Sequence, residues 1–172
     1  MITTEQVDRM GTDFLKHIYR IRQQVFEKEL SFPKQDRMTY NEWDALANHY
    51  MVLVNGSPVG AVAVVDWTGI TEKLLERGIN PNLRVAKVTK LAVLPEHRGI
   101  ITLKTLLQPV QKECGDYDLV LAEVAPPSNR LDDTTRYEMG KKYQRLFGLD
   151  FIGDPSINGI KTHILGKPFS HN

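Results

Sequence analysis

Apolar positions recur at two different periods along this chain, and the switches between them outline its elements. Phe14, Ile18, Ile21, Val25, Phe26 and Leu30 return at helical spacing, which predicts a helix over 12–30 capped by Gly11 or Thr12. A polar connection follows over 31–48, Ser31-Phe32-Pro33-Lys34-Gln35-Asp36 onward, with Trp43 and Asp44 inside it. Its length points to a functional loop or to a short helix hidden within it. His49 to Val54 and Val59 to Val65 are apolar runs on either side of Asn55-Gly56-Ser57-Pro58. Asn-Gly between two such runs is the strongest short-range hairpin signal. Residues 67–82 read as a surface excursion with one short helix, Glu72 to Arg77, closed by Gly78 and Asn80-Pro81. A strand, Leu83 to Leu94, then feeds a helix, Gly99 to Glu113, which Pro109 is expected to kink or split. Asp118 to Val124 is a buried-type strand, 132–147 a helix, and Gly148-Leu149 a tight turn into Asp150-Phe151-Ile152. The last strand is expected at Gly159 to Leu165, and no repeat or low-complexity segment interrupts the order.

That order, helix, hairpin, strand, helix, strand, helix, strand, is mixed α/β (α+β), antiparallel at first and with strand–helix–strand crossovers later. At 172 residues the chain fits a single domain, 1–172, able to bury a full core. A formal net charge of +1, from 22 basic and 21 acidic residues, supplies no field to hold a polyanion, so nucleic acid is excluded as the first expectation. Cys114 is the one cysteine and cannot form an intramolecular disulfide, which fits a reducing compartment. The first residues, Met1-Ile2-Thr3-Thr4-Glu5, carry no basic or apolar leader pattern, and the longest apolar runs are strand-sized. The expectation is a cytoplasmic chain without a membrane span. The five histidines show no metal-ligand spacing, so no metal is expected.

The chemistry concentrates in Val88-Thr89-Lys90-Leu91-Ala92-Val93-Leu94-Pro95-Glu96-His97-Arg98-Gly99, which opens directly into Ile100-Ile101-Thr102-Leu103. A strand, a short basic turn and a helix start place free backbone N–H groups side by side next to a guanidinium, which is a simple pyrophosphate cradle. This stretch resembles the acyl-CoA-binding motif of the GNAT superfamily of N-acetyltransferases, V-x-P-x-x-R-G-x-G-x-G, with Ile101 and Leu103 in place of its second and third glycines. A second set of residues, Ile21-Arg22-Gln23-Gln24-Val25-Phe26-Glu27-Lys28-Glu29-Leu30 with Asp36, Asp44, Ala47, His49 and Asn55-Gly56-Ser57-Pro58-Val59-Gly60, is similar to one branch of that superfamily. The branch includes acyl-homoserine-lactone synthases and N-acyl amino acid synthases.

The resemblance implies a GNAT-type mixed, mostly antiparallel sheet with splayed parallel strands and flanking helices. It implies an acyltransferase that moves an acyl group from CoA, or from phosphopantetheine on an acyl-carrier protein, to a primary amine of an amino acid, small amine or peptide. The alternatives are an ordinary acetyl-CoA-dependent N-acetyltransferase and a non-catalytic acyl-CoA-binding domain; a homodimer is compatible with each. In this reading Arg98, Gly99, Ile100, Ile101, Thr102 and Leu103 hold the donor's phosphates, and Leu91, Ala92 and Val93 pair with its pantetheine arm like an added strand. The thioester carbonyl then lies near the N–H of Val93, and Asn129 is the cofactor-contacting residue before the last helix. Glu123, near the C-terminal end of its strand, is the candidate base, with Glu42, Asp44 and His49 as acid–base groups on the loop side. Where the branch often has a glutamate before the central strand, this chain has Lys87. Tyr143 is the candidate acid for the departing thiolate, one residue out of the usual register with Gly148-Leu149.

Overall fold

The computed structural model describes residues 1–7, 12–32, 39–124, 137–138, 140–141, 144–145, 148–153, 156–157, 160–161 and 163–168. Its strands are β1 (Ile2–Val7), β2 (Asn48–Val54), β3 (Ser57–Asp66), β4 (Val85–Val93), β5 (Leu119–Val124), β6 (Asp150–Gly153), β7 (Ser156–Ile157), β8 (Ile160–Lys161) and β9 (His163–Pro168). The helices are α1 (Thr12–Arg22), α2 (Thr71–Leu75) and α3 (Ile100–Cys114). Seven strands hydrogen-bond in the order β1-β2-β3-β4-β5-β9-β6, and β7 pairs with β8 separately. The ladders β1–β2, β2–β3, β5–β9 and β6–β9 are antiparallel, whereas β4–β5 is parallel.

The chain divides into two compact units, Met1–Val65 with Thr89–Gly115, and Asp66–Val88 with Asp116–Asn172. In the first unit, the burial of all of His49 to Leu53 shows β2 covered on both faces. Alternation sorts those faces. Met51 and Leu53 pack with Val7, Ala61 and Ile18 of α1. Tyr50 and Asn48 point the other way, where both donate to Glu113 of α3, each at 2.6 Å. Leu106, Leu107, Val110 and Cys114 supply the buried stripe of α3. Gly60 lets β3 and β4 approach closely. A Cβ there would stand 2.9 Å from Val52 Cγ1 and 3.2 Å from the Ala92 carbonyl.

The hairpin expected at Asn55-Gly56 is present, and its φ values of 52° and 79° are the left-handed pair that a type I′ turn demands. The expected helix over 12–30 is α-helical only to Arg22; Gln23–Glu29 continues it as a π-helix. The long polar connection contains the short helix anticipated for it, a 3₁₀ turn at Glu42–Ala45. Of the kink or split expected at Pro109, the split does not occur: α3 runs unbroken from Ile100 to Cys114. β1 escapes the apolar pattern altogether, because Thr3, Thr4, Glu5 and Gln6 sit on an edge strand with one neighbour.

In the second unit, β5 is hydrogen-bonded to Val85–Val88 on one side and to β9 on the other. The final strand starts later than expected, at His163, after the two-residue strand β8. Tyr137, Glu138, Gly140, Lys141, Gln144 and Arg145 are helical, inside the helix expected over 132–147.

Candidate functional site

In the first unit the strand–turn–helix takes the predicted form. β4 ends at Val93, Pro95–His97 forms one 3₁₀ turn, and Gly99 is the N-cap of α3 in an extended conformation, φ −126° and ψ 161°. No side chain caps that end, and no acidic residue occupies the first turn. The N–H groups of Ile100, Ile101 and Thr102 precede the first intrahelical acceptor partnership, in which Leu103 N–H donates to the Gly99 carbonyl at 3.1 Å. The helix dipole adds partial positive charge there. Ile100 and Ile101 at the helix start are 63% and 66% exposed. Nothing lies within 4 Å of where a Cβ on Gly99 would stand.

Arg98 is placed differently from expectation. Its Nε donates to the Val93 carbonyl at 2.9 Å, and both terminal nitrogens donate to the Glu29 carboxylate at 2.5 Å. The guanidinium is therefore committed to a bidentate ion pair that ties the turn to the end of the π-helix. The Val93 carbonyl is taken by the same side chain.

Just before this turn, β4 carries a backbone irregularity. Lys90 has φ 54° in mid-strand, a left-handed conformation that costs a non-glycine residue about 1–2 kcal/mol. Its buried ammonium pairs with Asp44, whose other oxygen accepts from Arg22 at 2.6 Å; Asn41 N–H also donates to Asp44 at 2.7 Å. Arg22 is fully buried and reaches His49 Nδ1 at 3.2 Å, while His49 Nε2 lies 2.9 Å from the Asp44 carbonyl. Guanidinium can only donate and carbonyl can only accept, so His49 is the neutral Nε2–H tautomer. Burial and then Arg22 hold its pKa below the ordinary value. Its basic lone pair is spent on Arg22 and its side chain has essentially no exposed surface. Burial raises the Asp44 carboxyl, but Arg22 and Lys90 outweigh that and hold it below the usual range. Lys90 is pushed down to about 8 by burial, against the opposing pull of Asp44.

In the second unit, Glu123 is clamped rather than free. Arg77 Nε and Lys87 Nζ each bind one of its oxygens, the latter at 2.6 Å. Burial pushes the carboxyl up, and the two cations more than reverse it, so its pKa is lowered. Both cations also lie on Trp67, Lys87 Nζ 4.1 Å and Arg77 Cζ 4.8 Å from the ring centroid. Lys87, at the position where the similar branch often has a glutamate, pairs with Glu123. The parallel β4–β5 ladder comprises Val85↔Leu119 to Val88↔Ala122 and includes none of Leu91, Ala92 or Val93.

Tyr143 and Asn129 lie outside the described residues. Among the described residues no group of three or more His, Cys, Asp or Glu is placed to hold a metal ion, and no helix is long and apolar enough to cross a membrane. Sequence reasoning missed Glu29 and Lys90. The second had a signal, a charged residue inside an apolar strand; the first lies in the Val25–Leu30 stretch, but nothing local points to a partner 69 residues away.

No sequence-family model matches the chain, and no curated protein is detectably similar in sequence. Solved structures are similar in fold. An acyl-CoA N-acyltransferase from Pseudomonas aeruginosa has a TM-score of 0.67 at 12% identity, over 97% of this chain and 99% of that one. An acetyltransferase of the GNAT family from Staphylococcus aureus has a TM-score of 0.67 at 10% identity, over 99% and 100%. Arabidopsis thaliana Naa50, in complex with the bisubstrate analogue CoA-Ac-MVNAL, has a TM-score of 0.62 at 19% identity, over 98% and 99%. The fold is the GNAT acetyltransferase fold.

Proposed function

We propose that this chain is a thioester-dependent N-acyltransferase that binds its acyl donor at the turn between β4 and α3. The observation that carries the reading is the uncapped start of α3 at Gly99, with the N–H groups of Ile100, Ile101 and Thr102 unopposed by any acidic side chain in the first turn. The fold likeness supports it, since one neighbour of this fold is held with a CoA-based bisubstrate analogue. The donor's phosphate lies on those N–H groups, and Leu91–Val93 runs alongside the pantetheine arm. The acceptor amine attacks the thioester carbonyl directly. The C–N bond forms as the C–S bond breaks, the thiolate leaves, and the amine's proton passes to water.

Two groups with acid–base chemistry are read as structural. His49 has no free lone pair, and Glu123 is fixed as a carboxylate by two cations, so it acts as a permanent negative charge rather than as the base. Ile101 and Leu103 in place of the motif's second and third glycines favour a donor acyl chain longer than acetyl, or one presented on a carrier protein, with an amino acid, small amine or peptide as acceptor. The alternative is a domain that binds acyl-CoA without turnover.

The test is calorimetric titration with coenzyme A, followed by thiol release from acetyl-, butyryl- and decanoyl-CoA with a panel of amines. Binding near the micromolar range with amine-dependent thiol release is expected. Absence of binding by the intact protein overturns the donor site, and binding without release by any amine leaves the non-catalytic reading. Arg98→Ala removes the bond to the Val93 carbonyl and is expected to weaken coenzyme A binding about three- to tenfold, since one charged hydrogen bond typically contributes about 1 kcal/mol or more. Unchanged affinity would show that the bond from Arg98 to the Val93 carbonyl does not shape the donor site.

A further inference from the structure

We propose that Glu29 is a positioning residue that withholds the Arg98 guanidinium from the donor, so that the donor's phosphate is held by main-chain N–H groups alone. This rests on the donor site proposed above and adds to it a determinant of how strongly that site attracts anions.

The geometry is specific. Arg98 donates from Nε to the Val93 carbonyl at 2.9 Å and from both terminal nitrogens to the Glu29 oxygens at 2.5 Å. A bidentate carboxylate satisfies the same face of the guanidinium that a phosphate would take. The side chains of the pair are 40% and 31% exposed, so both border solvent at the turn rather than lying in the core. Glu29 is brought there by the π-helix Gln23–Glu29. In an α-helix, residues seven apart share a face, and Glu29 would follow Arg22 toward the buried cluster. The π winding turns it elsewhere, to the turn that follows β4.

The consequence is electrostatic. The one cation in the turn's signature carries its own counter-ion, so the pair adds no net charge beside the helix start. A donor phosphate meets the helix dipole and free N–H groups, flanked by the exposed Ile100 and Ile101. Such a site binds a singly charged phosphodiester on nearly the same terms as the more highly charged free cofactor. Releasing Arg98 would shift the preference toward the free cofactor.

The experiment is coenzyme A titration of the intact protein at several ionic strengths, for the wild type, Glu29→Gln and the double variant Glu29→Gln/Arg98→Gln. The wild type is expected to show weak salt dependence. Glu29→Gln is expected to bind about three- to tenfold more tightly at low salt, with a markedly steeper loss of affinity as salt rises. The double variant is expected to return to the shallow dependence. If Glu29→Gln binds more weakly or with unchanged salt dependence, Glu29 does not mask the guanidinium and the proposal is overturned, while the donor site stands. If the wild type does not bind coenzyme A, the donor site itself fails. A shallow salt slope restored in the double variant is a result that mere support of the fold by Glu29 would not produce.

Discussion

Asp44 bonds both buried cations, Arg22 and Lys90, which makes its replacement the sharpest probe of the first unit. Its side chain is 2% exposed, against 0% for Arg22 and 5% for Lys90. Asp44→Asn keeps the volume and part of the hydrogen bonding but leaves two like charges facing each other away from water. Breaking a buried pair by removing one partner costs about 3–5 kcal/mol, and here one carboxylate serves both cations, so the upper part of that range is expected. Lys90→Met does the opposite. It removes the surplus charge, leaves Arg22 and Asp44 as a matched pair, and fills similar volume with apolar atoms, so it is expected within about 1 kcal/mol of wild type, or above it. Urea unfolding followed by circular dichroism measures both. With a slope of about 2 kcal/mol per molar urea, Asp44→Asn should lower the midpoint by about 2 M and Lys90→Met should scarcely move it. In the double variant the loss should shrink, because only one cation is then unpaired. If Asp44→Asn costs less than about 1 kcal/mol, or Lys90→Met costs as much as Asp44→Asn, the charge count is wrong and the cluster is held by packing.

Lys90 also sets a pH signature. The unfolded chain keeps the lysine proton to about 10.5 and the folded chain loses it at about 8, so between those values the unfolded state binds more protons and folding gains stability as pH rises. The shift is equivalent to about 3 kcal/mol. Cys114, pushed up to about 12 by burial, opposes it above pH 9, so the readout is the stability difference between Lys90→Met and wild type. Wild type should gain about 2 kcal/mol relative to Lys90→Met from pH 8 to pH 10, and a flat difference would refute the assignment. Glu123→Gln leaves Lys87 and Arg77 without their shared counter-charge and is expected to cost about 2–4 kcal/mol, seen as a lowered melting temperature. In any acyl transfer found, that variant should keep the wild-type pH profile of kcat; loss of the acidic limb would make Glu123 the base.

How far the sequence spoke depended on the distance over which each feature is encoded. The Asn55-Gly56 hairpin and the turn at Pro95–Gly99 are local, set by residues that demand particular backbone angles, and both are found where the pattern put them. β1 was silent because an edge strand of Thr, Glu and Gln buries little and shows no apolar period. Pro109 does not break α3, since the burial of Leu106, Leu107, Val110 and Cys114 on one stripe holds the helix through the missing donor. For the site residues the sequence gives chemical type but not availability. Glu123 and His49 have the right chemical types in plausible places, but their availability depends on Lys87, Arg77, Arg22 and Asp44, partners separated from them by 5 to 46 residues. Composition shows which groups exist. Only the fold shows which are already engaged.

The contacts of the first helix give those engagements a common purpose. Arg22 at the end of α1 holds Asp44, and Asp44 holds Lys90 at the left-handed kink of β4. Glu29, at the end of the π-helix that continues α1, holds Arg98 on the far side of the same strand's end. Leu91, Ala92 and Val93 lie between these two anchors. The hydrophobic seam of Ile21, Val25 and Phe26 against Ala92 fills the space between them. A strand end bent by a strained residue relaxes unless its surroundings over-determine it, and here an ion pair on each side with apolar packing in the middle does so. The buried charges, costly as stabilising devices, make sense as register pins. An apolar core alone would bury Ala92 equally well with β4 regular, and the backbone groups of Leu91 and Val93 would then face different directions. Losing the Asp44 anchor should therefore weaken donor binding through the backbone of Leu91–Val93, even though Asp44 does not touch the donor.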